Sequence, residues 1–179
     1  MKATGLNGFI ARIDAAEYGL CCRLNRGAHR RVPRRLFQVA SRLGDGVVWY
    51  ALILALPLLF GASAVRPSIA MALTGVLGVV IYTLLKRVFV RERPYITHQA
   101  ISQAAAPLDR YSFPSGHTLH AVSFTWQACA HFPELGWVLL PLTALIASSR
   151  VVLGLHYPTD VLAGATIGAA LAELGLAVA

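Results

Sequence analysis

Residues 46–85 read GVVWYALILALPLLFGASAVRPSIAMALTGVLGVVIYTLL, an apolar run broken by the single charge of Arg66. Each half, 46–65 and 67–85, has about the length that a bilayer core demands of a helix. Three further windows share this property. Residues 111–133 carry no Asp, Glu, Lys or Arg, with an apolar part from about Thr118; residues 135–153 are interrupted only by Arg150, and residues 159–178 only by Asp160 and Glu173. With 56% hydrophobic residues and a mean hydropathy of +0.60, the chain is too apolar for an ordinary soluble domain. The expectation is an all-α polytopic membrane bundle of about five transmembrane helices over 46–179, preceded by an amphipathic, arginine-rich segment over 1–45.

That leading segment has two parts. Residues 9–24 (FIARIDAAEYGLCCRL) mix apolar positions with Arg12, Asp14, Glu17 and Arg23, too polar to span and suited to a helix in the membrane interface. The arginine-rich stretch from Arg26 to Arg42, with Pro33 as a break, is expected to lie against anionic headgroups. The formal net charge of +8 is divided between such flanks and the clusters described next, a distribution that argues against nucleic acid as a partner. Cys21, Cys22 and Cys129 imply no disulfide framework.

Three polar clusters stand at the ends of the apolar runs: Lys86 with Arg93 and Pro94, Pro114-Ser115-Gly116-His117, and Ser149-Arg150 with His156 and Asp160. Ionisable groups at such places are costly unless they pair or work. If the second span continues as a helix, Lys86 and Arg93 lie two turns apart on one side, and Pro94 ends it. Ser115 is a good N-cap and Gly116 lets backbone approach a ligand, so a helix starting there offers free amides to an anion. His156 and Asp160, four apart, put a carboxylate beside an imidazole on one helical face. Gly154 and Pro158 supply a break that lets Arg150 converge with them. Alternation of the spans brings the end of the second, the start of the third, the end of the fourth and the start of the fifth to the same membrane face. Together the clusters predict an anion-binding, histidine-based catalytic site.

In order and internal spacing, KRVFVRERP (86–94 starting at Lys86), PSGH (114–117) and SRVVLGLHYPTD (149–160) resemble the signature of the type 2 phosphatidic acid phosphatases. These are the membrane branch of a superfamily that also contains vanadium haloperoxidases. The resemblance implies that His156 attacks phosphorus and becomes a phosphohistidine, that Asp160 orients it, and that His117 protonates the leaving oxygen. It further implies that Lys86, Arg93, Ser115, the Gly116 amide and Arg150 bind the substrate phosphate, with no metal or cofactor required. The implied substrate is a membrane lipid phosphate such as undecaprenyl diphosphate, phosphatidylglycerophosphate or phosphatidic acid, handled in the plasma membrane. Phosphoryl transfer needs chiefly positioning and electrostatic stabilisation, which three cations and a helix N-terminus supply.

Three function classes remain open on this reading: a lipid phosphatase, a lipid phosphotransferase that passes the phosphoryl group to another lipid, and a non-catalytic lipid-binding protein. Orientation is also open. The positive-inside rule puts the arginine-rich stretch, and the catalytic face with it, in the cytoplasm, whereas the resemblance implies the outer face. The loop from Arg91 to Phe113 is the longest connection between spans and is expected to gate or recognise headgroups. His117 and His120 have a spacing seen in metal pairs but lack further ligands nearby, and His120 reads as a packing or cavity-facing residue. Gly164, Gly168 and Ala172 form a small-residue stripe that admits another helix, from this chain or a second copy.

Overall fold

The computed structural model describes residues 15–179, and among these every regular element is helical. Helix α1 covers residues 15–25, followed by α2 (Arg31–Leu43), α3 (Val47–Phe60), α4 (Val65–Phe89), the short α5 (Pro94–Thr97), α6 (Gly116–His131), α7 (Gly136–Val152) and α8 (Pro158–Val178). The first part of the expected interfacial helix, residues 9–14, lies outside the described residues.

Three stretches are long and apolar enough to cross a membrane: Val47–Thr97, Pro133–Val152 and Pro158–Val178. The first of these holds both α3 and α4. They are separated by a 3₁₀ turn, Gly61–Ala64, and not by the charge of Arg66, which sits in the first turn of α4. Leu54, Leu58, Leu73, Val76, Trp137, Val138 and Leu162 all face outward. Such an apolar exterior, on helices that satisfy their own backbone, suits hydrocarbon.

Inside, Trp49, Leu56, Met71, Phe124, Phe132 and Ile146 form the main core, where α3, α4, α6 and α7 meet. Several polar residues buried among the helices are bonded to one another. Gln127 donates to Thr74 Oγ1 at 2.9 Å and to Ser123 Oγ at 3.2 Å, and the Thr125 and Thr143 hydroxyls meet at 2.6 Å. Helices α6 and α8 make the closest pairing of the bundle. A Cβ on Gly164 would stand 2.5 Å from the Ser115 carbonyl oxygen, so the small-residue stripe serves packing within the chain.

The N-terminal elements dock on the end of the bundle that carries the polar clusters. Asn25 of α1 donates to the carbonyls of Ser102 (3.0 Å) and Val152 (2.9 Å), and Gln38 of α2 donates to the Ala104 carbonyl at 2.7 Å. Helix α2 buries Ala40 and Ser41, while Val32, Leu36 and Val39 stay exposed beside Arg31, Arg34 and Arg35. Pro33 does not break this helix. It lies in the first turn, where no intrahelical N–H bond is lost.

Candidate active site

The three clusters are brought together where the chain breaks between helices. Helix α4 ends at Phe89 because Val90 turns left-handed (φ 41°), a costly conformation for a β-branched residue. Arg93 is therefore extended, and Pro94 starts α5 at its first position instead of ending α4. The expectation of one helix through Lys86 and Arg93 is corrected on this point, yet both side chains reach the same place. Ser115 N-caps α6, its Oγ 3.0 Å from Thr118 Oγ1. Gly154 (φ 75°) reverses the chain in the turn after α7, and a Cβ there would meet the Ser102 carbonyl oxygen at 2.6 Å. Pro158 then opens α8.

His156 lies in that turn and not on α8, so the expected shared helical face of His156 and Asp160 is replaced by a different geometry. Asp160 is the third residue of α8, where its Oδ2 accepts the Tyr157 backbone N–H at 2.8 Å as part of a capping box. The same Oδ2 stands 3.7 Å from His156 Nδ1, too far for a hydrogen bond but on the correct side of the ring. On the other side, Arg93 Nη1 lies 3.2 Å from His156 Nε2. Arginine only donates, so Nε2 carries the lone pair and Nδ1 the proton. Burial first, and then the Arg150, Arg93 and Lys86 charges, hold the His156 imidazole well below the ordinary histidine range. A neutral ring with its lone pair at Nε2 becomes a nucleophile once the Arg93 N–H turns from it to an incoming phosphoryl group.

Lys86, Arg93, Gly116, His117, Arg150 and His156 line one cavity of about 140 Å³. Ser115 and Asp160 stand behind it: the Ser115 hydroxyl is used at the α6 cap, and Asp160 faces the Nδ1 side of His156. Arg150 bonds the Ser41 hydroxyl of α2, and its buried Nε has no partner among the described residues. A dianionic phosphoryl group in this cavity would complete that unfilled donor and meet three cations.

Four further acids and bases shape the site; Asp109 lies in the loop expected to gate or recognise headgroups, but none of the four was expected in the catalytic or phosphate-binding set. Asp109, in the long loop, accepts from Lys86 Nζ at 2.7 and 2.8 Å and from Arg93 Nη2 at 2.9 Å. Burial works to raise the Asp109 pKa, but Lys86 and Arg93 outweigh it and hold the carboxyl below its usual range. Arg91 donates to Asp160 Oδ1 at 2.8 Å and to Glu17 Oε2 at 2.7 Å, with its guanidinium stacked 4.0 Å from the Tyr157 ring centroid. Glu17 Oε1 also accepts from the Thr159 amide and hydroxyl at 2.8 and 2.7 Å, pinning α1 to the start of α8. Asp45 Oδ1 meets His117 Nε2 at 2.6 Å. Their partners lie far away in sequence, and the one available signal was an isolated acid at a span end, such as Asp45 between Gly44 and Gly46.

Beside the polar cavity lies an apolar one of about 440 Å³, walled by Trp49, Ile53, Leu54, Val76 and Phe124. Gly46, Tyr50, Val79 and His120 line both. His120 bonds the Gly75 carbonyl at 3.1 Å and stacks on Phe124, the packing and cavity-facing role expected of it.

The chain is similar to known proteins in sequence and in fold. Over 117 residues the chain is 36% identical to undecaprenyl-diphosphatase BcrC of Bacillus subtilis (65% of this chain, 60% of that protein). It is 30% identical over 138 residues to an undecaprenyl-diphosphatase of Sulfolobus acidocaldarius (76% and 66%), so it spans less than two thirds of either relative. A crystal structure of a transmembrane PAP2-type phosphatidylglycerolphosphate phosphatase from Bacillus subtilis superposes with a TM-score of 0.76 at 21% identity, covering 93% of this chain and 85% of that one. Aquifex aeolicus LpxE superposes with a TM-score of 0.72 at 26% identity, covering 89% and 93%. The family model described as PAP2 superfamily matches residues 64–178, all three polar clusters included, and the chain belongs to that superfamily.

Proposed function

We propose that this chain is an integral-membrane lipid phosphatase that removes a terminal phosphoryl group from a lipid phosphomonoester or diphosphate through a phosphohistidine on His156. The observation that carries this is the polarised His156 ring, with Arg93 at Nε2 and Asp160 facing Nδ1 inside a cavity lined by three cations. His156 Nε2 attacks phosphorus, the bond from phosphorus to the leaving oxygen breaks, and His117 protonates that oxygen. Water then attacks phosphorus, the P–N bond breaks as the water proton passes to His117, and inorganic phosphate is released with His156 restored. Lys86, Arg93, the Gly116 amide and Arg150 carry the transition-state charge, so this residue set needs no metal for the step.

The apolar cavity that shares four lining residues with the site suits a lipid tail, and two relatives named undecaprenyl-diphosphatase favour a polyprenyl diphosphate as substrate. Helices α3, α4, α6, α7 and α8 cross the plasma membrane in this reading, and α2 lies in the headgroup layer with its arginines toward anionic lipid. The test is phosphate release by the purified protein from a panel of lipid phosphates in EDTA, beside His156→Ala. Release that survives EDTA and vanishes in the variant supports the proposal. Release abolished by EDTA, or retained by His156→Ala, contradicts it.

A further inference from the structure

We propose that Asp45 is the positioning residue of the proton donor: its carboxylate takes the Nε2–H of His117, offsets the cations that disfavour the imidazolium form, and leaves Nδ1 to deliver the proton. This rests on the phosphatase reading and adds a residue to it that lies outside the family-matched stretch of 64–178. The distance, 2.6 Å from Asp45 Oδ1 to His117 Nε2, is that of a strong charge-assisted bond.

The surroundings explain why such a partner is needed. His117 is faced by Arg150 of α7, Lys86 of α4 and His156 of the turn before α8, none of which favours a second positive charge on the ring. Among the described residues, Asp45 is the acid that opposes them. Its own carboxyl is held below the usual range, first by the His117 bond and against the cost of burial. The backbone is shaped for the contact. A Cβ on Gly44 would stand 3.0 Å from both His117 Cδ2 and Ile146 Cγ2, so a side chain there would push the turn that carries Asp45 away from the ring.

In the first half-reaction His117 passes its Nδ1 proton to the leaving oxygen and keeps Nε2–H on Asp45. In the second, the attacking water returns a proton to Nδ1. No charge passes to Asp45, as for the carboxylate of a serine-histidine-aspartate triad. Dependence on Asp45 should therefore grow with the basicity of the leaving oxygen.

The experiment is a pH titration of histidine ring nitrogens by ¹⁵N NMR on the full chain in detergent, for the wild type, Asp45→Asn and Asp45→Glu, with the His117 signal assigned by its loss in His117→Gln. Asp45→Asn is expected to lower the His117 midpoint by about one pH unit, a tenfold drop in proton affinity, and Asp45→Glu to restore most of it. In turnover, Asp45→Asn should slow phosphatidic acid, with its alkoxide leaving group, by about 10²-fold, and a polyprenyl diphosphate far less. An unchanged midpoint in Asp45→Asn overturns the inference and leaves the phosphatase reading standing. A wild-type chain that shows the shift but releases no phosphate overturns the phosphatase reading, and the donor role with it.

Discussion

Asp109 Oδ1 sits between Lys86 Nζ, at 2.8 Å, and Arg93 Nη2, at 2.9 Å, so two of the three cations of the cavity are already paired with a carboxylate of the protein. A bound phosphoryl group would need the same donors, and Asp109 would have to give way. Asp109→Asn removes the competing charge at almost constant shape. Calorimetric titration with inorganic phosphate should then show about tenfold tighter binding than in the wild type. Weaker binding would mean instead that Asp109 holds Lys86 and Arg93 in place for the substrate.

Arg91 neutralises two buried carboxylates, Asp160 and Glu17, at 2.8 and 2.7 Å. Arg91→Ala would leave both unpaired in a site with little access to water. A loss of about 3 kcal/mol in unfolding free energy is expected, together with reduced kcat as Asp160 loses its anchor. Adding Glu17→Gln should recover part of the stability, because one of the orphaned charges is gone. Denaturant unfolding of the single and double variants measures this.

The pH dependence follows from His156. Its proton affinity in the fold lies well below that of the unfolded chain, so between the folded midpoint and about pH 6.5 the unfolded state binds more protons. Stability from this group is therefore complete above about pH 6.5 and falls as the pH is lowered. The acid limb of kcat/KM should lie below the ordinary histidine range for the same reason, since the nucleophile stays neutral there. Melting temperature and initial rates across pH 4.5–8 check both.

Gly164→Ala places a methyl group 2.5 Å from the Ser115 carbonyl oxygen, backbone against backbone. The cost should be about 1–3 kcal/mol in thermal unfolding. Activity should fall as well, because Ser115 starts the helix that carries His117.

Much of this was legible in the sequence for a physical reason: apolar runs and interrupting charges are local. The windows ending at Lys86, starting at Ser115 and breaking at Gly154 and Pro158 located the three cations and two of the histidines of the cavity, His117 and His156, and Ser115 caps α6 as its residue type suggests. The departures come from tertiary context. Val90 ends α4 in a left-handed conformation that its side chain disfavours, so no local pattern announced the reversal before Arg93. Pro33 looked like a break and is absorbed in a first turn. Asp45, Glu17 and Arg91 gain their roles from partners 72, 74 and 69 positions away, pairings that no spacing within a cluster encodes.

The central claim is the covalent one, that phosphorus is bonded to His156 during turnover. Rapid quenching at high pH after mixing with lipid phosphate, followed by peptide mass spectrometry, tests it directly. The account predicts a phosphoryl group on the peptide containing His156 and none in His156→Ala. Full turnover with no such adduct at any quench time, or a phosphoryl group on His117 instead, would contradict it.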